Sequence, residues 1–398
     1  MAPIARHTAG PRGIGGRECV WPRNDESYKF VLNRFAPIIM RPDSRMGKPL
    51  YFSELDNESR QRLIDVQQRG EALRATKAEL RRRFAGSMAW KTRSERDYLY
   101  RRKGGVDKAL GPRSPETEAV YEAFVQGKAA AEEREKGLRH RLSGMARVNK
   151  AMGLGRVPTL VARILRRLDD AGVLGEQVCV VGTNAIFAFE AHAGIRFDSD
   201  LLATGDIDVA LDARRNLSLA AKSMPDGLLG LLRKIDPTFG AIAGSFRAIN
   251  ASGLMVDLIT PEPRQRMTTA SRQKRRLGAV DRDDVEAAEV PRLEMIVDAP
   301  RFAATTVGED GLPVWLAVTD PRWWAAHKLW LASEPTREPI KRQRDQTQGE
   351  AVAAMLARHW GTVDLSDSAL AAISAPIREM LRTSFARAVE EHGESPEW

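Results

Sequence analysis

Gly205-Asp206-Ile207-Asp208-Val209-Ala210-Leu211 is the stretch whose reading decides what this chain is. In a strand alternate side chains share a face, so Asp206 and Asp208 project together while Ile207 and Val209 point the other way. Two carboxylates side by side in an apolar strand repel each other, and burying them is costly unless a cation neutralises them. An Asp-x-Asp by itself also occurs at turns and solvated strand edges. A third carboxylate adds weight: Asp257 lies in Leu254-Met255-Val256-Asp257-Leu258-Ile259, with apolar residues on either side, a setting where an ionised group is rarely placed without a partner. Oxygen-only ligands favour a hard metal, so Mg²⁺ is the expected cation, with two ions able to serve phosphoryl or nucleotidyl transfer.

Upstream, the apolar run Val178-Cys179-Val180-Val181 reads as a buried strand, and Thr183 to Ala191 as a helix. Gly182 sits at the switch. A glycine there lets backbone approach a ligand closely, and free amides at a helix start favour phosphate oxygens. The plainer alternative is an ordinary strand-to-helix turn with Thr183 or Asn184 as N-cap.

The order of these parts resembles the DNA polymerase β-like nucleotidyltransferase superfamily: a glycine followed by a small hydroxyl residue, an Asp-x-Asp pair, and a third acidic residue on a neighbouring strand. The resemblance implies that Gly182 and Thr183 contact the phosphates of an NTP, that Asp206 and Asp208 ligate Mg²⁺, and that Asp257 completes the acidic cluster. Asn184, Thr204 and Lys328 are further candidates for nucleotide contact, and Lys341 resembles a second basic position that follows the core in several branches. A closer similarity links Met88-Ala89-Trp90-Lys91, Tyr98-Leu99-Tyr100-Arg101, Leu110 to Glu118, Gly182 to Ala185 and Leu202 to Asp208 to an uncharacterised bacterial family of nucleotidyltransferase fold. The chain departs from the compact motif in setting Asp206 24 positions after Gly182; Ala193 to Asp200 is expected to form a loop beside the site.

The chain has 398 residues, 43% of them apolar, enough for two or three compact units. No apolar run approaches the ~20 residues that span a bilayer, and the first residues lack the apolar centre of a secretory signal; a cytoplasmic protein without a membrane partner is expected. Cys19 and Cys179 are the only cysteines, too few for a disulfide framework or a thiolate zinc site. Residues 1–150 carry 32 Lys and Arg against 19 Asp and Glu, and the rest 30 against 34. Such a basic segment can hold RNA or an acidic protein, although mixed charges on solvated helices read the same way.

The expected fold class is α+β: a polymerase β-like nucleotidyltransferase core, with a short mixed sheet and helices, flanked by N-terminal and C-terminal helical regions. An irregular arm covers 1–52 and a basic helical region 53–155, with one helix over Ser53 to Phe84 and another from a Ser114 cap to Leu142. Between them, Tyr98 to Gly105 joins the helices and offers aromatics beside cations. The core covers 156–262. It starts with a helix at Pro158 to Ala171, continues after the aspartate strand with helical pieces at Asn216 to Ala221 and Gly227 to Ile235, and ends in a hairpin of Gly244 to Asn250 with Leu254 to Ile259. A variable segment follows at 263–319, where Arg264 to Arg276 is a basic loop. A C-terminal helical region at 320–398 opens on an Asp320 cap; His327 and the tryptophans there are expected to pack.

The function so implied is metal-dependent transfer of an NMP from an NTP to a hydroxyl of an RNA end, a protein or a small molecule, with pyrophosphate leaving. Toxin-like modification of a host component is one version, by analogy with other branches. The alternative is a catalytically silent nucleotide- or nucleic-acid-binding module of the same fold, and a third reading is an interaction scaffold built on the N-terminal helices.

Overall fold

Continuous apolar runs such as Val178–Val181 build the central strands, and the side chains of Asp56, Ser114 and Asp320 cap three of the helices. The computed structural model describes residues 51–212, 224–242, 244–262, 276–277 and 284–392, all within the unit Leu50–Trp398. The expected arm up to residue 50, the helix at 216–221 and most of the basic loop at 264–276 lie outside the described residues.

Strand β1 (Phe52–Glu54) leads to helix α1 (Asn57–Arg82). Asp56 caps the helix by accepting from the Ser59 amide at 2.8 Å. Then come β2 (Ser87–Arg93), β3 (Arg96–Lys103) and β4 (Val106–Pro112), a three-stranded antiparallel meander. This corrects the reading of 53–155 as a helical region with only a joining segment between its two helices: Ser94-Glu95 and Gly104-Gly105 all take positive φ, the conformation that closes two-residue hairpins. Helix α2 (Pro115–Ala151) follows a capping box of Ser114 and Thr117 and runs two turns beyond the expected Leu142. α1 and α2 pack along each other, with Phe84, Phe124 and Ala131 buried where the meander joins them.

Next come α3 (Thr159–Asp170), β5 (Val178–Val181), a 3₁₀ turn (Thr183–Ala185), α4 (Ile186–Ala193), β6 (Ile195–Phe197), α5 (Ser199–Leu202) and β7 (Asp206–Leu211). β6 stands where a loop was expected; it pairs antiparallel with β1, Phe52 opposite Phe197. Then follow α6 (Gly227–Arg233), β8 (Gly240–Ala241), β9 (Arg247–Ile249), β10 (Met255–Pro261), β11 (Ala288–Val290), α7 (Glu294–Val297), β12 (Arg301–Val307) and β13 (Pro313–Thr319). The C-terminal helices are α8 (Pro321–Ser333), α9 (Pro339–His359) and α10 (Ala375–His392).

Eight strands make one mixed sheet in the order β12-β13-β5-β7-β10-β9-β8, with β11 beside the end of β10. β5 and β7 are antiparallel, β7 and β10 parallel, and β9 and β10 form the expected antiparallel hairpin. The segment 263–319, expected to be variable, thus supplies part of the sheet. Its β13 pairs with β5, next to the aspartate strand, and β12 pairs along the whole of β13.

Both faces of the sheet are covered, which is why its central strands read as nearly continuous apolar runs. Ile164, Leu165 and Leu168 of α3 are fully buried with Val180, Val209 and Leu316 in one cluster that extends to Trp323, Trp324, Val352 and Leu381 of the C-terminal helices. Each such aliphatic side chain contributes roughly 1.5–3 kcal/mol by leaving water. Gly70 seats α1 on the sheet: a Cβ there would lie 2.9 Å from Pro313. No helix among the described residues is long and apolar enough to cross a membrane.

Candidate active site

Strands β7 and β10 run parallel with Asp208 opposite Asp257 and Asp206 opposite Met255. Alternation then does what the sequence requires: Ile207 and Val209 are fully buried on one face, and Asp206 and Asp208 emerge on the other beside Asp257. Carboxylate oxygens of the three lie within 4.8 Å of one another, a cluster that can hold a metal ion. Burial pushes the Asp208 carboxyl up to about 7, with Asp206 and Asp257 adding repulsion that Lys328 and Arg247 offset only in part. Three oxygen donors with unbalanced negative charge fit a hard divalent cation.

Each carboxylate has its own support. The Thr204 hydroxyl donates to Asp206, and the Asn184 side-chain amide donates to the Asp206 carbonyl at 2.8 Å. Arg247 grips Asp257 with two hydrogen bonds of 2.7 Å. Arg247 is the residue directly opposite Asp257 in the hairpin, so the hairpin reading of the sequence already contained this pair, although it was not singled out.

Gly182 takes φ +64° and ψ −155°, a region populated essentially by glycine. A Cβ on it would lie 2.2 Å from the Asp208 Oδ2, so only glycine lets the turn after β5 lie against the carboxylates. Its carbonyl accepts from the Trp324 indole N–H of α8 at 3.0 Å, giving that tryptophan a role beyond the expected packing. The next residue, Thr183, accepts at 3.2 Å from the Gln348 amide of α9, which also donates to the Leu201 carbonyl at 2.6 Å. Since an amide nitrogen only donates, the Thr183 hydroxyl keeps its own proton for another acceptor. Nothing local in sequence marked Gln348, which is 165 positions from Thr183.

Lys328 is buried on α8. Its ammonium bonds Asp345 of α9 at 2.8 Å, which also takes Arg337, and it lies 5.3 Å from the Trp324 ring. The structure thus brings Lys328 near the cluster, since it acts on Asp208, but ties its nitrogen to Asp345. Lys341 pairs with Glu338 at 3.2 Å on the first turn of α9. Burial and the neighbouring Lys328 push His327 down to about 3, so it stays neutral and packs tilted against Trp330, ring centroids 5.5 Å apart. Cys179 is fully buried in the sheet, as expected for a small apolar residue.

The arrangement joins a crowded set of carboxylates to a glycine turn with a free hydroxyl proton, parts suited to handling a metal-bound phosphate chain. No curated protein matches the chain, and no solved structure does. A family model described as nucleotidyltransferase matches residues 159–374, more than half of the chain, from the start of α3 to the residue before α10 and through all three aspartates. The chain belongs to this nucleotidyltransferase family.

Proposed function

We propose that the protein transfers an NMP from an NTP to a hydroxyl acceptor on a polymerase β-like core, releasing pyrophosphate. The observation that carries this reading is the meeting of Asp206, Asp208 and Asp257 within 4.8 Å, from strands far apart in the chain. These three would hold Mg²⁺. Bound there, Mg²⁺ supplies charge neutralisation for the triphosphate and a lowered pKa for the acceptor hydroxyl.

The rest is done by the chain. Gly182, lacking a side chain, lets the turn lie against Asp208, and the Thr183 hydroxyl donates to a phosphate oxygen. Trp324 and Gln348 hold that turn in place, so the donors need no reorganisation when substrate arrives. Thr204 and Asn184 fix Asp206, and Arg247 fixes Asp257. In the transfer the acceptor oxygen bonds to the α-phosphorus, the bond from that phosphorus to the bridging oxygen breaks, and the acceptor proton passes to the carboxylate cluster or to water.

The test is to incubate purified protein with Mg²⁺ and each α-labelled NTP, alone and with total RNA or lysate, and to follow label transfer. Asp206→Asn and Asp208→Asn should each abolish labelling while the protein stays folded. Labelling by those variants at the wild-type rate would remove the metal assignment, and NTP binding without transfer would make the protein a silent binding module.

A further inference from the structure

The β2–β4 meander has one face against α2 and one that no described element covers. Leu99 and Trp90 pair across β2 and β3 on the inner face; Leu99 is fully buried, and Trp90 meets Tyr121 of α2 at 5.9 Å. Alternation places Lys91, Arg93, Arg96, Tyr98, Tyr100 and Arg102 on the outer face. Lys91 faces Tyr98 and Arg93 faces Arg96 across the strands, and the Lys91 ammonium stands 5.2 Å from the Tyr100 ring. Asp107 enters this face from β4 and is shared by Lys91 and Arg102. Arg93 and Arg96 are exposed, with no ion-pair partner among the described residues.

Four cations meet one carboxylate on this face, and its centre is aromatic. Two tyrosines two positions apart on a strand stand about 7 Å apart, close to the spacing of successive bases in an extended strand. Rings at that spacing can stack unpaired bases while the surrounding cations meet phosphates. A duplex hides its base faces and would leave the tyrosines idle, and an acidic protein segment would use the cations alone. We propose that the outer face of the meander binds a single-stranded polynucleotide, with Tyr98 and Tyr100 as stacking platforms and Lys91, Arg93, Arg96 and Arg102 as phosphate contacts. The face lies at the end of the α1–α2 hairpin, about 18 Å of helix beyond the point where Gly70 touches the sheet. Its binding does not depend on the aspartates.

The test is fluorescence anisotropy of the full chain with a labelled single-stranded RNA of about 12 nucleotides. Tyr98→Ala with Tyr100→Ala should weaken binding at least about tenfold. Arg93→Gln with Arg96→Gln should flatten the dependence of affinity on salt between about 50 and 200 mM. All four positions are partly or fully exposed, so thermal melts of both variants should match wild type. Asp206→Asn should bind as wild type, which separates this proposal from the transfer reading. Unchanged affinity in both double variants, or equal affinity for a duplex of the same sequence or for a polyglutamate peptide, would overturn it.

Discussion

Gly182 is the residue on which the site turns, because its φ and the 2.2 Å that a Cβ would leave to Asp208 both exclude a side chain. Gly182→Ala is expected to cost about 1–3 kcal/mol in strain and to displace Asp208 enough to lower transfer about 100-fold or more, checked by thermal melting and by label transfer. Asp208 itself is under electrostatic load. Its folded carboxyl is raised to about 7 from an ordinary 3.8, so in metal-free protein it contributes a cost that grows from about pH 4 to pH 7 and is fully present above. Melts in EDTA should therefore show Asp208→Asn more stable than wild type at pH 8, the difference shrinking toward pH 4. Added Mg²⁺ should raise the wild-type Tm more at pH 8 than at pH 5.5 and leave the variant nearly unmoved. A variant no more stable than wild type at pH 8 would contradict the crowding. The aspartates and Gly182 were legible in sequence because each breaks a local rule: charge in an apolar strand, glycine between strand and helix. Trp324 and Gln348 break none, and only the fold brings them to the turn.

Among the elements, α8 and α9 hold the β5 turn from outside the sheet, and they are locked to each other by Lys328, Asp345 and Arg337. Asp345 is fully buried, so Asp345→Ala leaves the Lys328 ammonium without its carboxylate and should destabilise the fold by about 3–5 kcal/mol. Denaturant unfolding measures this; a loss under about 1 kcal/mol would mean that the lock is slack. The helices were readable from their caps, Ser114 and Asp320 above all. The meander was hidden because its strands are rich in charge, yet Lys103-Gly104-Gly105-Val106 carried the hairpin signal. β12 and β13 escaped notice for a different reason: β13 is buried along most of its length, so it shows little alternation to set it apart from a packed loop.

For the molecule as a whole, the two functions proposed above fall on different parts, transfer on the sheet with its C-terminal helices and polynucleotide binding on the meander of the α1–α2 hairpin. The meander contributes little to the main buried cluster, so replacing residues 86–113 by a short glycine turn should preserve cooperative unfolding and an NTP-induced rise in Tm while abolishing binding of single-stranded RNA. Loss of the NTP response in that deletion would show that the two parts are not separable. The mixed α+β class could be read from the alternation of apolar strand runs with capped helices. The full width of the sheet could not, because strand neighbours are set by long-range packing that no local window contains.

The seating of β13 against β5 also governs how the protein is made. A ribosome releases β5 and both acid-bearing strands well before Pro313 is synthesised, so the nascent chain carries an unpaired apolar edge through much of elongation. The core of the sheet is therefore completed late, and a chain stopped between the two segments is exposed to chaperones and proteases, with its three aspartates all present and no lasting place to stand.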